Sequence, residues 1–297
     1  MNKRFATELA RWQKVPQDKY QAAEVYLKAW EKFCVGACAR FLQANKASKQ
    51  SLASQSKRDH VWYIADPEGG VSSLLIHSYH SLFPVFGENS AIPGPGFLKR
   101  FLIKAPIHLV QGLREDVETL EILMEDLGYF AKERIDYELM SLDTAHGAGA
   151  LGAGPAGLVL RSPLPGDKER LFALHSAYEK EEVLPQKAVF NPVSCRYNLE
   201  RILSSEKVLV AELDGQLVGK LNTNAESFTR YQIGGVYVRP DCRGLGIAAK
   251  MVAVFSADLL TLGKGITLFS KMHNKAAKKV YLKAGFAVLA DYRISYF

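Results

Sequence analysis

The chain has 297 residues, 48% of them hydrophobic and 23% charged, with a net charge of +7. This composition excludes wholesale disorder and provides for about two domains, each with its own core. Four scattered cysteines (Cys34, Cys38, Cys195 and Cys242) do not make a disulfide framework, and no apolar run reaches the ~18 residues of a membrane helix. The charged start, MNKRFATELARWQK, lacks the apolar stretch of a signal peptide. The expectation is a cytoplasmic protein with no membrane partner. Residues 1–150 hold 18 basic and 18 acidic residues, whereas 151–297 hold 20 and 13. The positive excess of the second half suits an anionic ligand.

In chain order, apolar residues at helical spacing predict a helix over 17–44. Cys34 and Cys38 lie one turn apart on it and read as packing residues, with no metal site. Strands are predicted at 61–65 and 71–79 around the Pro67–Gly70 turn, and Pro93-Gly-Pro-Gly96 reads as a loop. A strand at 107–111, an amphipathic helix at 114–127 ended by Gly128, and a strand at 135–142 follow. Residues 146–157, HGAGALGAGPAG, read as a linker. This stretch also matches a dinucleotide-binding fingerprint, but Pro163 and Pro165 bar the helix that the fingerprint requires. Beyond it come a strand at 158–161, helices near 167–183 and 193–203, a hairpin over 208–213 and 216–222, and a strand at 232–238. The last elements are a helix at 243–260, a strand at 266–271, a helix at 274–283 ended by Gly285, and a strand at 292–297. The expected division is 1–145, a linker over 146–157, and 158–297.

The segment Ile233–Ala249, IGGVYVRPDCRGLGIAA, runs from strand through a glycine loop into a helix. Gly244, Gly246 and Ala248 remove side chains where backbone would meet a ligand, and the N–H groups of a helix start form an anion site. Arg243 adds a fixed charge. Between Lys264 and Lys283 stand six lysines and no acidic residue. Two phosphate-binding features on successive strand–helix units favour one polyanionic cofactor.

These residues resemble the GNAT superfamily of acetyl-CoA-dependent N-acyltransferases. Val236 to Ala248 is similar to the family's Arg/Gln-x-x-Gly-x-Gly/Ala cofactor motif, and Asn274 to Phe286 to its Asn-x-x-Ala-x-x-x-Tyr-x-x-x-Gly-Phe motif. The element order β-α-α-β-β-β-α-β-α-β is similar as well. The resemblance implies a mixed, mostly antiparallel sheet flanked by helices, an α+β fold. It implies that the backbone of Val236, Tyr237 and Val238 pairs with the pantetheine arm. The N–H groups of Arg243, Gly244, Leu245, Gly246, Ile247 and Ala248 would hold the pyrophosphate, Asn274 and Lys278 would contact acetyl-CoA, and Tyr281 would protonate the departing thiolate. The implied reaction is direct transfer of an acetyl group to a primary amine, on a small molecule or a peptide, by a monomer or homodimer.

An amine with a pKa near 10 needs a base, and the strand at 232–238 carries no carboxylate. Glu226, upstream of it, is the candidate. Glu179, Glu181, Glu182 and the carboxylate of Phe297 are further ones. If no base exists, the alternative is a non-catalytic acyl-CoA-binding module. The segment 1–58, with twelve basic and four acidic residues, raises nucleic-acid binding, but its aromatics follow a buried helical spacing and so none is expected. Residues 107–142 echo 266–297: strand, helix, glycine, strand. The first half therefore reads as a degenerate copy of the same fold, and only the second copy is complete. Gly94-Pro-Gly96 stands where the cofactor loop belongs, so one cofactor per chain is expected.

Overall fold

A computed structural model describes residues 12–50, 59–87, 92, 94–144, 154–185 and 188–297. The chain forms two compact units, Met1–Leu139 with Leu289–Phe297, and Met140–Val288. The start of the N-terminal charged stretch and most of the expected linker, residues 146–153, lie outside the described residues. No helix among those described is long and apolar enough to cross a membrane.

In the first unit, strand β1 (Gln13–Lys14) is followed by helices α1 (Tyr20–Trp30) and α2 (Val35–Gln50). The single helix expected over 17–44 is thus two. A short 3-10 turn at Glu31–Phe33 intervenes, and Cys34 leaves the helical region at φ −141° and ψ 41°. Strands β2 (Asp59–Ala65) and β3 (Val71–Ser78) form the predicted hairpin. The next strand, β4 (Ser81–Phe86), was not expected because Pro84 interrupts it. It pairs along its length with β3, but with the parallel strand β5 (Leu109–Leu113) only at Ser81 and Leu82. The Pro84 ring, lying beyond that pairing, breaks no rung of the ladder to β5. The stretch expected as a loop over Pro93–Gly96, of which Pro93 lies outside the described residues, is more than a loop at Gly94–Gly96. Gly94 caps helix α3 (Pro95–Lys104), whose N1 proline matches the torsion a helix start needs.

Helix α4 (Arg114–Glu125) buries Val117, Leu120 and Met124 completely, each contributing about 1.5–3 kcal/mol by area. With α3 it forms the core over β2–β5. Tyr26 of α1 holds the sheet by donating to the carbonyls of Ser72 and Val85, at 2.9 and 3.2 Å. Strand β6 (Glu133–Leu142) ends the first run of elements.

The second unit opens with β7 (Leu158–Arg161), α5 (Lys168–Tyr178), which ends in a π-helical turn at Glu179–Val183, and α6 (Pro192–Ser205). Strands β8 (Val208–Leu213), β9 (Gln216–Glu226) and β10 (Arg230–Val238) are antiparallel neighbours. Helix α7 (Ile247–Leu260), strand β11 (Gly265–Lys271), helix α8 (Lys275–Lys283) and strand β12 (Ala287–Tyr296) complete the chain. The sheet order in this unit is β7-β8-β9-β10-β11. Ile247, Met251, Val252, Phe255 and Leu259 of α7 cover one face, and Leu171, Leu174 and Leu199 of α5 and α6 cover the other.

From the first helix onward, the element order of 20–142 repeats in 168–296, including one parallel pair in each copy, β4–β5 and β10–β11. The end of the chain departs from the expected 158–297 division. Residues 289–297 belong to the first unit, where β12 pairs antiparallel with β5 from Tyr292–Leu113 to Tyr296–Leu109. Arg293 donates to Asp136 at 2.7 Å, and Ser295 to the buried carboxylate of Glu121.

Candidate active site

The centre of the second unit is a break in its sheet. β10 runs parallel to β11 only through Arg230–Gly265, Tyr231–Ile266 and Gln232–Thr267. Beyond Gln232 the β11-facing edge of β10 has no further ladder partner among the described residues. On the other side the register with β9 shifts twice, between Gln232 and Ile233 and between Gly234 and Tyr237. This is a β-bulge, which re-aims backbone groups. Gly235 takes φ +61° there, and a Cβ on it would stand 2.3 Å from Asn222 Oδ1 and 2.9 Å from Lys220 Nζ. Only glycine lets those β9 side chains lie against the bulge.

Lys220 is 2% exposed, at the register position opposite Tyr237. Its ammonium donates to the carbonyl of Gly235 at 3.1 Å and to Asn222 Oδ1 at 3.4 Å, and sits 4.4 Å over the ring of Tyr178. Burial drives its pKa down to about 7 against the opposing fields of Glu179 and Cys195. His175, Glu179 and Cys195 bring metal-type donor atoms within 4.8 Å of one another next to it. Burial, then the charges of Lys220 and Arg201, hold His175 neutral with a pKa near 4. The charge of Lys220 acts on His175, and those of Glu179 and Cys195 act on Lys220.

Past the bulge, the chain makes a 3-10 turn at Pro240–Cys242 and enters the glycine loop. Gly244 and Gly246 have φ +82° and +79°, and a Cβ on either would meet nothing within 4 Å. The glycines are thus required by backbone conformation, and the space over the loop is open. Gly246 is the N-cap of α7 and no side chain caps that helix, so its first N–H groups are free for an anion. Ile247 is buried and anchors the turn, Leu245 is exposed, and Ala248 is half-buried.

Arg243 is turned away from the loop. It donates to the carbonyl of Val238 at 3.0 Å and to Glu181 at 2.8 Å, and lies over the Tyr237 ring at 5.5 Å. Glu181, on the π-helical turn, is held below its usual pKa by that pairing. Its neighbour Glu182 pairs with Lys271 at 3.2 Å. Asn274 caps α8, its side-chain oxygen accepting from the N–H of Ala277 at 3.0 Å. Its amide NH2 remains for a ligand, and Lys278 follows one turn on. Tyr281 is 7% exposed and packs edge-on to Phe286 at 6.3 Å. Burial first, then the fields of Tyr178 and Glu182, push its pKa well above that of free tyrosine. It therefore stays protonated, as a proton donor must.

Glu226 does not join this group. It lies at the end of β9 opposite Tyr231, 55% exposed, and accepts from Lys264 at 2.8 Å. That is four residues from Gly235 along β10, roughly 13 Å at ~3.3 Å per residue, and Lys264 lowers its pKa. Phe297 packs in the core of the first unit. Sequence reasoning missed Lys220, Asn222, Tyr178 and the bulge. The signal was the pair Gly234–Gly235 inside an otherwise apolar strand.

Residues 171–286, which lie within the second unit, match the model of the acetyltransferase (GNAT) family. No curated protein matches the chain. Among solved structures, a Drosophila protein is similar at a TM-score of 0.66 and 13% identity, with 97% of this chain and 99% of that one covered. A GCN5-related N-acetyltransferase from Sphaerobacter thermophilus gives 0.55 and 18%, covering 97% and 95%. A tandem GNAT protein from the clavulanic acid biosynthesis pathway gives 0.55 and 12%, covering 96% and 98%. The family model covers residues 171–286, and these solved structures share the fold of the chain.

Proposed function

We propose that the second unit transfers an acetyl group from acetyl-CoA to a primary amine of a small molecule or peptide by direct attack. The carrying observation is the parted pair β10–β11 in line with an uncapped, glycine-started helix. An open strand edge suits the amides of pantetheine, and free helix N–H groups suit a pyrophosphate. The open space over Gly244 and Gly246 is a cradle that the residues present fit. Bound there, acetyl-CoA would supply an activated acyl group. The backbone of Val236–Val238 and the N–H groups of Arg243–Ala248 would hold it, with Asn274 and Lys278 alongside.

In this reading Lys220 takes the role first assigned to Glu226. A buried amine with a pKa near 7 is free to accept the proton of the attacking ammonium at neutral pH. N–H groups of the bulge polarise the carbonyl under attack, and Tyr281 gives its proton to the leaving thiolate. The non-catalytic alternative rested on a missing base, and Lys220 supplies one from the neighbouring strand.

The first unit reads as the degenerate partner of a tandem. Its counterpart of the open cleft is filled: Asp116, 3% exposed, accepts from the Phe86 N–H at 3.1 Å. Pro84 removes a donor from the same strand, and a Cβ on Gly112 would be 3.1 Å from its carbonyl. Tyr281→Phe tests the mechanism. Turnover of acetyl-CoA with an accepted amine should fall about 100-fold or more with an unchanged dissociation constant for CoA. Unaltered turnover would remove Tyr281 from the reaction.

A further inference from the structure

The first unit contains a cavity of about 740 Å³ that the transfer reaction does not use. It lies between one face of α3 and the strands β1, β2 and β3. Its size is that of a small-molecule site.

Two kinds of side chain build its wall. Trp12, Trp62, Phe97 and Phe101 form an aromatic shell. Phe97 stacks on Trp12 at 5.9 Å and on Phe101 at 6.0 Å, and meets Trp62 edge-on at 5.1 Å. Around them stand Lys14, Arg100 and Lys104. Phe97, Arg100, Phe101 and Lys104 recur at helical spacing, so one stripe of α3 delivers two rings and two cations together. No acidic residue lines the cavity. Among the described residues Lys14, Arg100 and Lys104, all in the cavity wall, form no ion pair with a carboxylate. Lys14 instead sits over the Trp62 ring at 5.6 Å.

Two further observations point to a ligand. The indole N–H groups of Trp12 and Trp62 are buried with no acceptor among the described residues, which is rare unless something else supplies one. At the rim, Tyr79 occupies the left-handed region at φ +54°, a hairpin position suited to glycine or asparagine, and is 56% exposed. A bulky ring held there at a conformational cost suits contact with a ligand.

We infer that this cavity binds a small aromatic anion, its flat body among the rings and its acidic group on Lys14, Arg100 and Lys104. Excess positive charge over an aromatic pocket selects against amines and neutral analogues. The proposal stands apart from the acetyl transfer assigned to the second unit.

The test uses the full chain and its own fluorescence. Trp12 and Trp62 line the cavity, and Trp30 is the third and last tryptophan. The probes are 4-nitrobenzoate, 4-nitrophenyl phosphate and neutral 4-nitrobenzamide, all quenchers, so that carboxylate and phosphate are separated. The proposal expects saturable quenching by at least one anion, with the amide at least tenfold weaker. It expects a loss of tenfold or more in Arg100→Glu/Lys104→Glu, whose exposed positions leave the core intact, with circular dichroism unchanged. Equal affinity for the amide, linear quenching into the millimolar range, or undiminished binding by the folded double variant would each overturn it.

Discussion

At the scale of single residues, the proposed mechanism rests on Lys220. Its pKa near 7 is the result of complete burial winning over the carboxylate of Glu179. As the proton acceptor, it predicts transfer that rises as pH increases through about 7, when the ammonium gives up its proton. Lys220→Arg, charged at all pH values, should lose about two orders of magnitude in kcat together with that limb. A limb near 7 persisting in Lys220→Arg would assign the base elsewhere. The same group marks stability. Below pH 7 it is charged in folded and unfolded chains alike, and the full desolvation cost is carried. Between 7 and 10.5 the folded protein binds fewer protons than the unfolded one, so that cost shrinks. Relative to Lys220→Met, the parent should gain up to about 5 kcal/mol over that window in urea unfolding; parallel pH curves would contradict the burial argument. None of this was legible in the sequence, because Lys220 falls in a hairpin strand whose polar residues look solvated. Gly246 was legible as a helix-start glycine because that place follows from local spacing, whereas the role of Tyr281 came from the resemblance and belongs to the proposal.

Among elements, the π-helical turn after α5 does the most. It places Glu181 on Arg243 and Glu182 on Lys271, so carboxylates hold two cations of the cofactor side. A phosphate on the loop's N–H groups would gain the Arg243 charge only if Glu181 released it. Glu181→Gln should therefore bind CoA a few-fold more tightly by calorimetry, the difference shrinking at high salt; weaker binding would mean that Glu181 positions Arg243 productively. The glycine loop and α7 were readable because an apolar stripe, Val252, Phe255 and Leu259, follows glycines at once. α3 and β4 were not, because Pro84 and Pro95 look like breakers when tertiary partners are unseen. Pro84 is tolerated because β5 pairs only the first two residues of β4, and Pro95 because it sits in the first turn.

For the whole molecule, the chain's last strand matters more than its seam. The repeat of elements was visible in the sequence from the two strand–helix–glycine–strand runs. That β12 serves the first unit was not, because the choice of strand partner is set by long-range pairing that no local pattern encodes. A fragment of residues 1–145 would leave β5 as a bare edge and strip Glu121 and Asp136 of Arg293 and Ser295. It should fail to unfold cooperatively by circular dichroism, whereas a cooperative transition would show that β12 is dispensable.

The central claim is that the glycine loop of the second unit, and no other place in the chain, holds acetyl-CoA. Calorimetric titration of the intact protein, beside Arg243→Glu/Gly246→Asp, addresses it directly. The account predicts one site per chain, abolished in the variant while the fold is kept. Two sites per chain, or undiminished binding by the variant, would contradict it.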